Sequence, residues 1–156
     1  MQQANQPTLF IPGTLCDERI WQPLWHIIAD NMPNRTYVPV QWANDLNQML
    51  TLTNDRINQY DQKVHLVGYS MGAYIASLAA LATNKVAKLT LIGYSPNGLS
   101  DQEMNQRKAI ISAIDKKSYK GMTKLCLKQF LTETECENRE LVDTVLSIPK
   151  RLQDAG

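Results

Sequence analysis

Residues 64–78 read VHLVGYSMGAYIASL, and the parsing of that stretch decides the fold. It opens with an apolar run from Val64 to Val67, long enough for a buried strand. It turns through Gly68-Tyr69-Ser70-Met71-Gly72 and continues as a small-residue helix from Met71 to about Leu81. A strand, a tight turn and a helix with Ser at the apex form the context that a G-x-S-x-G nucleophile elbow requires. The turn is too sharp for ordinary backbone, so Ser70 is expected in a strained conformation. Gly68 and Gly72 lie two residues either side of it, where a Cβ would collide with neighbouring chain. Ala73, Ala76, Ala79 and Ala80 keep the helix thin enough to approach a sheet closely. The bare pattern turns up by chance in roughly 5% of chains this long, so the flanking strand and alanine-rich helix carry the reading.

Upstream, Thr8 to Ile11 form a short β-rich run stopped by Pro12-Gly13, a turn signal. Ile20, Trp21, Leu24, Trp25, Ile27 and Ile28 then fit one broad helical face, with Asp17 as its N-cap and Pro23 early enough to be tolerated. Residues 37–42 make a second strand candidate, and Pro39 within it argues for an edge position. A helix over residues 44–60 places Leu46, Met49, Leu50 and Ile57 on one side. Downstream of the elbow, residues 86–93 (VAKLTLIG) read as a fourth strand ending at a Tyr-Ser-Pro-Asn-Gly loop. Strands alternating with helices imply βαβ units and a parallel sheet covered on both faces. Chemistry in such sheets sits at the carboxyl ends of the strands, where both the Pro12-Gly13-Thr14 loop and Ser70 fall.

From Ser100 onward no strand is evident. Ser100 and Glu103 have capping-box spacing, opening a helix to about residue 116 with Met104, Ile110, Ile111 and Ile114 as its apolar stripe. Residues 119–131 read as a second helix with Met122, Leu125, Cys126 and Phe130 inward. Thr132 and Glu135 box a third, carrying Leu141, Val142, Val145 and Ile148 until Pro149 ends or kinks it. Three consecutive helices after the last strand have the form of a lid.

Bulk properties narrow the classes further. The chain has 156 residues, one domain's worth, and a net charge of +1 that gives no electrostatic case for nucleic acid or an anionic membrane. No apolar stretch approaches the ~20 residues needed to span a bilayer. The opening MQQANQPTLF lacks the basic and apolar segments of a signal peptide. Cys16, Cys126 and Cys136 are odd in number and far apart, which suits reduced thiols in a cytoplasm. The cysteines and the two histidines show no metal-ligand spacing, and no cofactor motif is present.

Taken together, the residues from about Thr8 to Asn97 resemble the α/β-hydrolase superfamily, and the helical tail continues the likeness more loosely. Phe10-Ile11-Pro12-Gly13-Thr14-Leu15-Cys16-Asp17, with Trp21 after it, is similar to that family's oxyanion loop, and Gly68 to Gly72 to its elbow. Within the superfamily the tone is that of small lidded bacterial esterases and the related menaquinone-pathway lyase. The resemblance implies an α/β fold of about four parallel strands flanked by helices plus a helical lid. Residues 1–98 would form the N-terminal part of the hydrolase core and residues 99–156 the lid. It implies a serine hydrolase acting on an ester or thioester of a small acyl substrate. Ser70 is then the nucleophile, and the backbone N–H groups of Met71 and Thr14 meet the oxyanion, with Leu15 as the alternative to Thr14. No cofactor and no metal are implied.

One part of the family pattern is missing. The triad order is Ser, acid, His, yet no histidine follows Ser70 in this sequence. His26 and His65 precede it, and both read as structural residues. None of Asp101, Asp115, Asp143 or Asp154 falls at a strand end, so none is assigned to a triad. The simplest expectation is a hydrolase cut short before its acid and His, inactive or weak by itself. A non-catalytic small-ligand module and a half-domain completed by another chain are the alternatives. The strand at 86–93, with no further strand to pair with and only Lys88 as a guard, is expected to draw self-association through its free edge.

Overall fold

The computed structural model describes residues 6–116, 118, 127, 128 and 131–154. These group into two compact units, Met1–Tyr94 and Ser95–Gly156.

The first unit is built on a four-stranded sheet in the order β2-β1-β3-β4, every pair parallel. Its strands are β1 (Thr8–Ile11), β2 (Arg35–Tyr37), β3 (Val64–Tyr69) and β4 (Val86–Ile92). The connections carry α1 (Gln22–Ile27), α2 (Leu46–Asn58) and α3 (Met71–Ala82). β1 is central and wholly buried; Thr8 is in register with Arg35 on one side and His65 on the other. Side chains alternate across a strand, so Leu9 and Ile11 join Leu66 on one face, against Ile57 of α2 and Ile75, Ala76 and Ala79 of α3. Phe10 and Val67 take the opposite face with Trp21. There Trp21 and Trp25 meet the Phe10 ring edge-on at 5.1 and 5.5 Å. Helices thus cover both faces, as the βαβ pattern requires.

The structure departs from the sequence reading at several points. The second strand spans Arg35–Tyr37, not residues 37–42, and Val40–Trp42 is a 3-10 turn. Val38 N–H makes the last bond to Phe10 C=O at 3.0 Å. Pro39, at φ −83° and ψ 55°, then closes an inverse γ-turn in which Val40 N–H donates to Val38 C=O at 2.9 Å. The expected edge position does hold for β2. The first helical segment is a 3-10 turn at Glu18–Ile20 followed by the short α1, with Asp17 capping the former. Ile27, expected on its apolar face, is 80% exposed. At 100° per residue it points roughly 110° from the stripe formed by Trp21, Leu24, Trp25 and Ile28. Leu46 is likewise exposed at the start of α2, whose N-cap Asp45 accepts from Gln48 N–H at 2.8 Å.

The second unit contains α4 (Asp101–Asp115), α5 (Glu133–Glu137) and α6 (Arg139–Asp154). Both expected capping boxes form. Ser100 N–H donates to the Glu103 carboxylate and Thr132 N–H to that of Glu135, each at 2.8 Å. These bonds hold both carboxyls below the usual glutamate range. The stripe on α4 exists but is not buried: Met104, Ile110, Ile111 and Ile114 are all exposed. The single helix expected after Thr132 is two. Asn138 leaves helical geometry at ψ 98° and recaps the chain, its Oδ1 accepting from Leu141 N–H at 3.1 Å. Pro149 neither ends nor delimits α6, which continues to Asp154. The helix expected over residues 119–131 falls largely outside the described residues, as do Met122, Leu125, Cys126 and Phe130.

Candidate active site

Ser70 occupies the apex between β3 and α3 with φ 53° and ψ −116°, a left-handed φ that a residue bearing a Cβ rarely takes. Its backbone is pinned from both sides. Ser70 N–H donates to Ile92 C=O at 2.8 Å, and Ser70 C=O accepts from Ala73 N–H at 3.0 Å. Tight packing surrounds this turn. A Cβ on Gly68 would strike the backbone of Gly72 and Ala73. One on Gly72 would strike the carbonyl oxygens of Ile11 and Pro12, with the Ile11 carbonyl carbon 2.7 Å away. Each glycine therefore lets two backbone segments touch: β3 against the first turn of α3, and α3 against the end of β1.

That second contact delivers the loop after β1 to the serine. A Cβ on Gly13 would lie 3.3 Å from Ser70 Cβ and 2.9 Å from Tyr69 Cδ1. The loop folds back on itself, Cys16 N–H donating to Gly13 C=O at 3.2 Å and Cys16 Sγ to Thr14 C=O at 3.4 Å. Thr14 is exposed at its tip, and Leu15 beside it takes a left-handed φ of 56°. Met71 is the first residue of α3, where the helix supplies no acceptor for its N–H and its dipole favours negative charge. So the three residues singled out from sequence, Ser70, Met71 and Thr14, lie on two segments that meet through Gly13 and Gly72.

Tyr69 is a contributor the sequence reading passed over. Its half-buried ring fills the space between the loops after β1 and β4: one edge faces Gly13, and the other lies 3.2 Å from where a Gly93 Cβ would stand. Burial first, then the neighbouring Cys16, raises its phenol pKa. The only trace in the sequence is a glycine just past β1 and another just past β4. Cys16 itself is pushed up to about 11 by burial and by Asp17. At neutral pH it is a protonated thiol, which leaves Ser70 as the sole candidate nucleophile at this turn. Asp17 is buried and committed to a two-pronged ion pair with Arg19, with contacts of 2.7 to 3.1 Å.

No histidine is brought to the serine. His65 stands on β3, five residues earlier and about 16 Å away along extended chain. Its Nε2 shares a 2.8 Å hydrogen bond with Thr90 Oγ1, and partial burial followed by Lys88 lowers its pKa. His26 is exposed on α1. Among the described residues no His, Cys, Asp or Glu cluster could hold a metal ion, and no helix is long and apolar enough to cross a membrane. A cavity of about 360 Å³ opens beside α2, lined by Pro39, Trp42, Ala43, Gln48, Thr51 and Leu52, and includes no residue of the elbow.

Two solved structures share this architecture. One, titled a marine microorganism esterase, aligns with a TM-score of 0.60 at 17% identity, over 84% of this chain and 56% of that one. MenH from S. aureus aligns with a TM-score of 0.63 at 22% identity, over 97% of this chain and 66% of that one. The chain thus spans roughly half to two thirds of the length of these two proteins. No protein-family model matches it, and no curated protein matches it in sequence.

Proposed function

From an α/β-hydrolase fold, we propose that this chain carries the nucleophile and oxyanion elements of a serine hydrolase for an ester or thioester of a small acyl substrate. Ser70 attacks the acyl carbon. The charge that develops on the carbonyl oxygen is met by the N–H groups of Met71 and Thr14. The observation that carries this reading is the backbone of Ser70 itself. Strain at φ 53° persists only where surrounding structure over-determines it, and here two glycines exist to permit it. The esterase title of one structural neighbour agrees with the reaction class. The setting we propose is a reducing cytoplasm, in keeping with the free thiols of Cys16 and Cys136.

A fluorophosphonate probe tests the site. Labelling of this chain should fall on Ser70 alone and vanish in Ser70→Ala. It should also be slow, because a serine hydroxyl is a weak nucleophile without an adjacent base and neither His26 nor His65 stands beside it. Rapid stoichiometric labelling would mean that one of those imidazoles reaches Ser70. The second reading is a non-catalytic pocket for a small apolar ligand in which Ser70 is a relic. No labelling of any residue, even on prolonged exposure, would decide for that reading.

A further inference from the structure

We propose that Tyr69 is a positioning residue: its ring, clamped between Gly13 and Gly93, holds the loop after β1 beside Ser70 and so fixes where the Thr14 N–H meets the oxyanion. This role rests on the hydrolase reading of Ser70 given above and deepens it. Tyr69 is the last residue of β3, and β3 lies between β1 and β4, so the loops leaving those two strands pass on either side of its ring. A Cβ on Gly13 would lie 2.9 Å from Tyr69 Cδ1 and 3.2 Å from Cε1. One on Gly93 would lie 3.2 Å from Cε2 and 3.6 Å from Cδ2. The two long edges of one ring thus rest on two glycine backbones, and ring carbons, not the hydroxyl, make both contacts. Gly93 has a left-handed φ of 59°, whereas Gly13 does not. What position 13 requires is therefore room beside the ring and Ser70, rather than a special backbone.

The loop is anchored at its start by Ile11 in β1 and at its far end by Trp21, buried against Phe10. Between these anchors Gly13 rests on the Tyr69 ring, and Thr14, the next residue, carries the N–H assigned to the oxyanion. Ser70 follows Tyr69 directly, and its own N–H is tied at 2.8 Å to the C=O of Ile92, one residue before Gly93. Nucleophile and oxyanion donor are therefore both set by one flat ring. That ring is a stiff gauge, because it turns about two torsions only and packs on the Phe10, Trp21 and Val67 cluster beneath it. Oxyanion donors act at about 2.7–3.1 Å, and a misplacement of about 1 Å can cost on the order of 100-fold. A side chain that fixes this spacing governs the rate at Ser70 without touching substrate. Cys16, on the same loop, reports the loop's position. It is close enough for its thiolate to oppose the Tyr69 phenolate, and burial keeps the thiol protonated. Removing a ring that holds the loop in place should expose that thiol.

A Cys126→Ser, Cys136→Ser background tests this, with a fluorophosphonate as the probe of Ser70 and iodoacetamide as the probe of Cys16. Tyr69→Ala should lower the labelling rate at saturating fluorophosphonate at least about tenfold and leave the half-saturating concentration within about twofold, the split expected of a donor that acts in the transition state. In the same variant Cys16 should alkylate at least about fivefold faster. Tyr69→Phe, which restores the ring without the hydroxyl, should recover at least about half of the lost labelling rate. Where alanine disturbs folding, as read by circular dichroism, Tyr69→Val suits the end of a strand and takes its place. Gly13→Ala keeps the ring and crowds it. Alone it should slow labelling at least about fivefold, and in a chain lacking the ring its cost should fall below about twofold, since neighbours in contact do not add. Unchanged labelling or alkylation without the ring, a Tyr69→Phe variant as slow as Tyr69→Ala, a shift in half-saturation alone, or an additive Gly13→Ala would each overturn the role. Failure of the native chain to label is a different result, which would refute the hydrolase reading. Cys16 alkylation would then still decide the clamp, a faster rate in Tyr69→Ala establishing it and an unchanged rate overturning it.

Discussion

At the scale of single residues, the elbow is a set of steric permissions around one strained serine. Gly68 and Gly72 are the most constrained, because a Cβ at either meets backbone, which cannot swing aside, rather than a mobile side chain. Gly72→Val should therefore cost at least about 1–3 kcal/mol, the range for overpacking a tight contact, by prising α3 from the end of β1. Chemical denaturation reads this directly, and an unchanged midpoint would refute the strand–turn–helix contact. Cys16 offers a second test at this scale. With its pKa at about 11, its thiolate fraction at pH 8 is lower than that of an ordinary cysteine by on the order of 100-fold. In a Cys126→Ser, Cys136→Ser background, alkylation should be correspondingly slow and should climb about tenfold per pH unit until close to pH 11. A rate that levels off near pH 9 would show that the loop leaves Cys16 open to water.

At the scale of elements, β3 and β4 are tied across the sheet by more than their ladder. His65 lies opposite Lys88 and bonds Thr90. Partial burial and the Lys88 ammonium both disfavour the imidazolium, so the folded pKa lies below the unfolded value of about 6.5. The unfolded chain then binds more protons in that interval, and stability must rise with pH across it. The contribution is complete above about pH 6.5 and is lost as pH falls through the folded value. His65→Gln, which keeps a partner for Thr90 but cannot titrate, should lose that part of the acid dependence. Denaturant midpoints at a series of pH values from 7.5 downward give the comparison, and parallel curves for the two proteins would count against it. The α2–α3 pair shares an apolar cluster. Ala76 and Ala79 are small enough to bring α3 down onto Leu9, Ile11 and Leu66, and Ile57 of α2 closes the cluster.

At the scale of the molecule, local pattern and non-local contact had separate shares. β1, β3, α3 and β4 were legible nearly to the residue, because each is an apolar or small-residue run with a glycine or proline turn at one end at least. The two capping boxes were legible for a similar reason, since donor and acceptor lie three residues apart. Residues 37–42 misled because burial and strand pairing favour the same residue types: Val38 and Val40 are fully buried, yet Pro39 turns the chain away from β1 between them. The apolar stripe of α4 was legible as a face, but Met104, Ile110, Ile111 and Ile114 are exposed, because periodicity does not say what covers a face. The order β2-β1-β3-β4 and the parallel register of Thr8 with both Arg35 and His65 join segments far apart in the chain, which no local window encodes. The same division runs through the site. The sequence by itself determined that Ser70 sits at the apex of a strained turn, since the glycines that permit it lie within two residues. Only the tertiary structure decided that Gly13 meets Ser70, that the Tyr69 ring spaces the loops after β1 and β4, and that both histidines stand elsewhere. Those facts depend on β1 and β4 flanking β3, and that adjacency is selected by burial of the whole sheet rather than by any one stretch of chain.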